Sequence, residues 1–156
     1  MRIYRTTSMI ELSMWAEKQR AFIRITPAAE GATKGQPKAG EKRFNYDETI
    51  AISFTVVDML TTSYSLEGMS KGIEGLEVKK FADMSKVAAS DNNDQKKLTI
   101  APYKENISFN LSHGTKKANI TLSPAETYTI AKWFEFQAQK LILTSDLKQE
   151  EPEGAE

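Results

Sequence analysis

The chain has no cysteine and a single histidine, His113. The first absence excludes disulfides and thiolate metal sites, and the two together leave no usual ligand set for zinc. A histidine-dependent triad has only His113 to draw on, and this residue precedes Gly114 where a turn is expected. No apolar run approaches the roughly 18 residues that span a bilayer, and no apolar h-region follows Met1, so the expectation is a non-secreted cytoplasmic protein with no membrane contact. A nucleoid location, or the host cytoplasm for a viral chain, falls within the same expectation. "GMSKG" and "GATKGQPKAG" lack the full spacing of a phosphate-binding P-loop. "DNNDQ" at 91–95 lacks the glycine and final glutamate of a calcium loop. No carboxylate pair shares an apolar strand, so the expectation is no enzyme, no cofactor and no metal.

What is present describes a globular chain. With 156 residues, 40% hydrophobic and 27% charged, one domain with a sizeable core is expected. The zero net charge hides an asymmetry: residues 1–46 hold nine Lys and Arg against four Glu, whereas 146–156 hold five carboxylates against Lys148. A basic front and an acidic end point toward nucleic acid, because the body can meet phosphates while the tail competes for the same surface. A solvated tail without a role is the competing explanation.

Periodicity supplies the elements. Ile10, Leu12 and Met14 alternate with Glu11, Ser13 and Trp15, and after "AEKQ" a second strand, 20–26, completes a hairpin. Thr26–Lys42 is rich in Pro, Gly and Lys and reads as a long surface loop carrying Lys34, Lys38 and Lys42. Ile50, Ile52 and Phe54 form the inner side of the next strand. Thr55 and Asp58 then make a capping box for a helix that stops near Gly68. A strand around 76–84, a polar turn at 90–95 and strands at 97–103, 106–112 and 117–122 follow. Ser123-Pro124-Ala125-Glu126 starts a second helix, expected to run to about Leu143. Ile130, Ala131, Phe134, Ala138, Leu141 and Ile142 share its inner face. Tyr128, Trp133, Phe136 and Leu143 lie off that face, so either their own subunit or a second one must cover them.

A shift of 68 positions lays Ile52-Ser53-Phe54-Thr55 and Asp58 on Ile120-Thr121-Leu122-Ser123 and Glu126. The fold class expected is α+β, with antiparallel sheets in two strands-then-helix units, about 1–70 and 76–145, forming one domain over 1–145; 146–156 is the acidic tail. In this order of elements, and at the junctions "ISFTVVD" and "ITLSPAE", the chain resembles the Whirly and PC4-like single-stranded-DNA-binding proteins. Their fold repeats a unit of four strands and a helix, in tandem or by dimerisation. The Lys-Gly-Lys-Ala-type motif of plant Whirly proteins has only a loose counterpart in "KKANITL". The resemblance implies single-stranded DNA as ligand, with RNA as second candidate, and accessory roles in replication or transcription.

The residues themselves support a binding face. If Ala21, Ile23 and Ile25 face the core, Arg20, Phe22 and Arg24 face outward beside Trp15, with Lys18 at the turn. Rings stack on unpaired bases and cations meet phosphates. The second unit presents Tyr103, Ser108, Asn110, Ser112, Lys117 and Asn119, with Lys97, Lys104 and Lys116 at its edges. Arg43 completes the candidate set. No helix rich in Arg and Asn suggests duplex reading, so little sequence preference is expected. Tyr128, Trp133 and Phe136 are the candidate interface of a homo-oligomer, dimer or tetramer. The tail resembles those through which single-stranded-DNA-binding proteins recruit partner proteins, although it lacks a terminal aromatic. The alternative function is a non-enzymatic protein-interaction or structural module.

Overall fold

Residues 1–29, 43–72, 84–89 and 95–150 are described by a computed structural model. The alternating sequence folds into β1 (Arg2–Tyr4), β2 (Ser8–Trp15), β3 (Arg20–Pro27) and β4 (Ile50–Phe54), closed by helix α1 (Val56–Lys71). The same order follows again as β5 (Met84–Ala89), β6 (Gln95–Tyr103), β7 (Asn106–His113), β8 (Lys116–Leu122) and helix α2 (Pro124–Glu150). Each set of strands forms one antiparallel sheet in sequence order, β1-β2-β3-β4 and β5-β6-β7-β8. The protein is therefore α+β, built of two strands-then-helix units.

One core serves both units. The inward rows Ile10, Leu12; Ala21, Ile23, Ile25; and Ile50, Ile52, Phe54 of the first sheet join Leu98, Ile100; Ile107, Phe109, Leu111; and Ala118, Ile120, Leu122 of the second. Met59 and Leu66 of α1 and Ile130, Ala131, Phe134 and Ala138 of α2 complete it. Phe54 and Phe134 meet at 5.0 Å between ring centroids, which ties the end of one unit's sheet to the other unit's helix. Burying each such side chain stabilises by roughly 1.5–3 kcal/mol, so the shared core, more than either helix alone, holds the units together.

Both helix starts carry the expected reciprocal caps. Thr55 Oγ1 accepts from the Asp58 N–H at 3.1 Å and Asp58 Oδ2 from the Thr55 N–H at 3.0 Å. Ser123 Oγ accepts from the Glu126 N–H at 3.2 Å and Glu126 Oε1 from the Ser123 N–H at 2.9 Å. The repeat extends beyond the caps. Met59, Thr62, Ser63 and Leu66 are buried, and so are their counterparts 68 positions on, Thr127, Ile130, Ala131 and Phe134. Ser63 Oγ donates to the Ala131 carbonyl at 2.7 Å, joining two equivalent positions directly. A contact between copies of one position is what a local two-fold axis produces.

Several boundaries differ from the expectation. The first unit has an additional strand, β1, too short at three residues to show periodicity. Of the strand expected around 76–84 only Met84 is among the described residues, where it begins β5, Met84–Ala89; residues 73–83 and the 90–94 part of the expected turn lie outside them. Helix α1 continues past Gly68, which is buried within it, because the left-handed residue that ends the helix is Gly72 at φ 53°. Helix α2 runs beyond Leu143 to Glu150, so Asp146–Glu150 of the expected tail are helical, and 151–156 lie outside the described residues. The expected loop begins later than Thr26: β3 reaches Pro27, and Ala28 bridges Phe44. Ala29 donates to the Arg43 carbonyl at 2.9 Å, closing the base of this connection, while Lys34, Lys38 and Lys42 lie outside the described residues. Ile142, expected on the inner face of α2, is 41% exposed.

Candidate functional site

The orientation of the β2–β3 hairpin decides which residues meet solvent. Ala21, Ile23 and Ile25 are fully buried, and the pleat therefore turns Arg20, Phe22 and Arg24 to the other side. Their cross-strand partners on β2 are Trp15, Ser13 and Glu11 respectively. Trp15 is 50% exposed and carries Lys18 Nζ 6.0 Å from its ring centroid. Arg24 stacks over the half-buried Phe22 ring at 4.8 Å and donates to the Ser13 hydroxyl. The guanidinium is thus held over an aromatic ring. Glu11, the one carboxylate in this row, is paired with Arg2, whose guanidinium is held above its usual range chiefly by that hydrogen bond.

The far end of the same face is closed. Phe44 is buried, packs 5.9 Å from the Tyr4 ring, and has Arg43 stacked on it at 5.5 Å. Arg43 belongs to this end, where Ser8 pairs with Pro27, and is apart from the Trp15 end of the strands.

The second sheet presents a different surface. Lys97, Ser112 and Lys117 lie side by side across β6, β7 and β8, and Thr99, Asn110 and Asn119 form the next row. These six side chains line a shallow groove of about 290 Å³ with no carboxylate among the described lining residues. Tyr103, 55% exposed, stands at the β6–β7 turn with Lys104 Nζ 5.5 Å from its ring. Lys116 is separated from this group, since the pleat turns it opposite to Lys117 and its ammonium lies 3.8 Å from Glu48 of the turn before β4.

The structure therefore brings Trp15, Lys18, Arg20, Phe22 and Arg24 together on one sheet, and Lys97, Lys117, Tyr103 and Lys104 on the other. Arg43 and Lys116 stand outside both groups.

Arg5 was not visible as a candidate in the sequence, because β1 before it is so short. Its guanidinium pairs with Glu126, and its Nε donates to the Thr121 carbonyl at 3.3 Å, clamping the first unit onto the cap of α2. Burial works to raise the Glu126 carboxyl, but the Ser123 N–H, the Arg5 guanidinium and the Ser123 hydroxyl outweigh it and hold it below the usual carboxylate range. Thr6, Thr7, Asn106 and Asn119 continue a polar cleft from Arg5 across the two sheets.

On the helices, Trp133 packs against the core of its own chain, edge-on to Phe134 at 5.3 Å. Tyr128 lies beneath Lys71 and Lys132, at 5.5 and 5.3 Å. Of the three candidate interface residues, Phe136 leaves the largest apolar exposure, 58%, and Leu143 joins it on the outer face of α2. Val57, Leu60 and Tyr64 add an exposed stripe on α1.

No helix among the described residues is long and apolar enough to cross a membrane, and these residues contain no cluster of three or more potential metal ligands. Compared with models of protein families and with curated proteins, the chain matches none.

Proposed function

We propose that the protein binds single-stranded nucleic acid, DNA in preference to RNA and with little sequence preference, on the outward faces of its two sheets. The observation that carries this reading is the row Trp15, Arg20, Phe22 and Arg24, exposed or half-exposed above a buried row of Ala21, Ile23 and Ile25. An aromatic surface flanked by guanidiniums offers stacking to every base, because every base has a π-face, and its cations balance the phosphates. The Lys97–Lys117 groove, with its serine and asparagine side chains, offers phosphate and sugar contacts in the second unit. A double helix hides its base faces, so rings on a sheet surface favour an unpaired strand.

In this reading the chain is a non-enzymatic accessory protein with a Whirly/PC4-like fold, supported by the order of four antiparallel strands and a helix built twice. Assembly into a dimer or tetramer uses the outer face of α2 around Phe136, and the acidic end recruits a protein partner. A protein-interaction module is the second reading, favoured by the exposed Val57, Tyr64, Phe136 and Leu143. Phe22→Ala and Arg24→Ala separate the two. Each should weaken thymidine-oligonucleotide binding by roughly 5- to 100-fold while leaving the unfolding transition in place, and unchanged affinity in both variants would count against the nucleic-acid reading.

A further inference from the structure

The two hairpin tips carry the same arrangement, and the strand register shows that this is one feature occurring twice. Phe54 and Leu122, the equivalent last residues of β4 and β8, pair with Ala21 and Ile107 on the neighbouring strands. Those residues pair in turn with Met14 and Pro102. One step further toward the turn, Trp15 stands opposite Arg20 and Tyr103 opposite Asn106. Trp15 and Tyr103 are therefore counterparts in the two units. They are 50% and 55% exposed, and each has a lysine from its own turn over the ring, at 6.0 and 5.5 Å. Each turn also contains a left-handed residue, Gln19 at φ 52° and Lys104 at φ 55°. The turns differ in length, a 3-10 turn of Ala16–Lys18 in one and two residues in the other, yet the ring and the lysine recur.

An exposed aromatic at a strand end has no share in the core, so fold stability alone does not account for the same pair at both tips. A ring with an ammonium beside it suits one nucleotide: the ring offers a face to the base, and the ammonium lies within reach of the adjoining phosphate. We propose that the chain holds two equivalent stacking stations, Trp15 with Lys18 and Tyr103 with Lys104, and that one unpaired strand engages both. This rests on the nucleic-acid reading above and adds to it the site count.

The test uses the full chain and a thymidine oligonucleotide of about 30 nucleotides, longer than the roughly 4–16 that a single site usually spans. Trp15→Ala and Tyr103→Ala should each weaken binding by roughly 5- to 100-fold. Trp15→Phe and Tyr103→Phe should recover most of the loss, since phenylalanine still stacks. Circular dichroism melts of all four variants should superimpose on that of the parent, because neither side chain enters the core. Weakened binding by Trp15→Ala with Tyr103→Ala unchanged overturns the two-station inference and leaves the nucleic-acid reading standing. No binding by the intact chain overturns both.

Discussion

The two units share a skeleton and differ in what they display. Ile23 and Phe109 occupy the same inward position, as do Ile52 and Ile120, and the cores they build are interchangeable in kind. Outward, the register sets Phe22 against Ser108 and Arg24 against Asn110. The first sheet thus offers rings and guanidiniums, and the second offers hydroxyls and amides edged by lysines. Inward positions are constrained by a common core, whereas outward positions are free to diverge. The hairpin tips, with Trp15 and Tyr103, keep an exposed ring at the same position in both units.

The largest effects should come from breaking the shared core at matched positions. Leu66→Ala and Phe134→Ala remove equivalent side chains of the two helices, each fully buried. Each should cost about 2–5 kcal/mol, read by chemical denaturation. Because both side chains belong to one core, both variants should unfold in a single transition at a lower midpoint. Two separated transitions would show the units to be independent.

A smaller effect distinguishes the caps. Glu126 is bound by Arg5 from the other unit as well as by Ser123, and the Asp58 carboxylate accepts from the Thr55 N–H at the start of α1. Glu126→Gln should cost about 1.5–3 kcal/mol, the range for hydrogen bonds to charged groups. The sign with pH follows from a carboxyl held low in the folded state. The stability it contributes is fully present above its unfolded pKa and is lost as pH falls through the folded value. Parent and variant should therefore converge in stability only once the pH has fallen below that folded value, itself beneath the usual carboxylate range, and a difference that persists at still lower pH would argue against the clamp. Thr55→Ala and Ser123→Ala should each cost about 1 kcal/mol by loss of the N-cap acceptor. Equal losses in thermal melts would support the equivalence of the caps. The smallest effect belongs to Glu67, whose carboxyl is held low first by its hydrogen bond from Lys71 and is also close to Lys132. This pair is exposed and screened, so Glu67→Gln should leave the melting midpoint where it is at physiological salt.

The pattern of legibility follows from the same division. Strands with a buried row could be read because period-2 alternation survives wherever one face meets the core, as in Ile10, Leu12 and Met14. Both helix starts were legible because a capping box needs only four consecutive residues. β1 escaped because Arg-Ile-Tyr contains a single alternation, and its strand character comes from pairing with β2. The end of α1 was misplaced because glycine in a sequence does not reveal its backbone angle: Gly68 stays helical and Gly72 turns left-handed. The outward placement of Trp15 and Phe22 could be inferred from their neighbours, but the burial of Phe44 and the Lys116–Glu48 contact depend on chain that is distant in sequence. The pairing of Trp15 with Tyr103 was hidden for a different reason. They are 88 positions apart while β4 and β8 are 68 apart, because the β3–β4 connection and the β2–β3 turn are both longer than their counterparts, and no single shift aligns both.

The most direct measurement titrates the intact chain, in a Trp133→Phe background so that Trp15 alone reports, with a thymidine oligonucleotide at two salt concentrations. Stacking on the exposed ring predicts saturable quenching at micromolar oligonucleotide or below, with log affinity falling linearly against log salt by about 0.7 per phosphate neutralised. An unchanged Trp15 signal across that range, at low salt, would contradict the account.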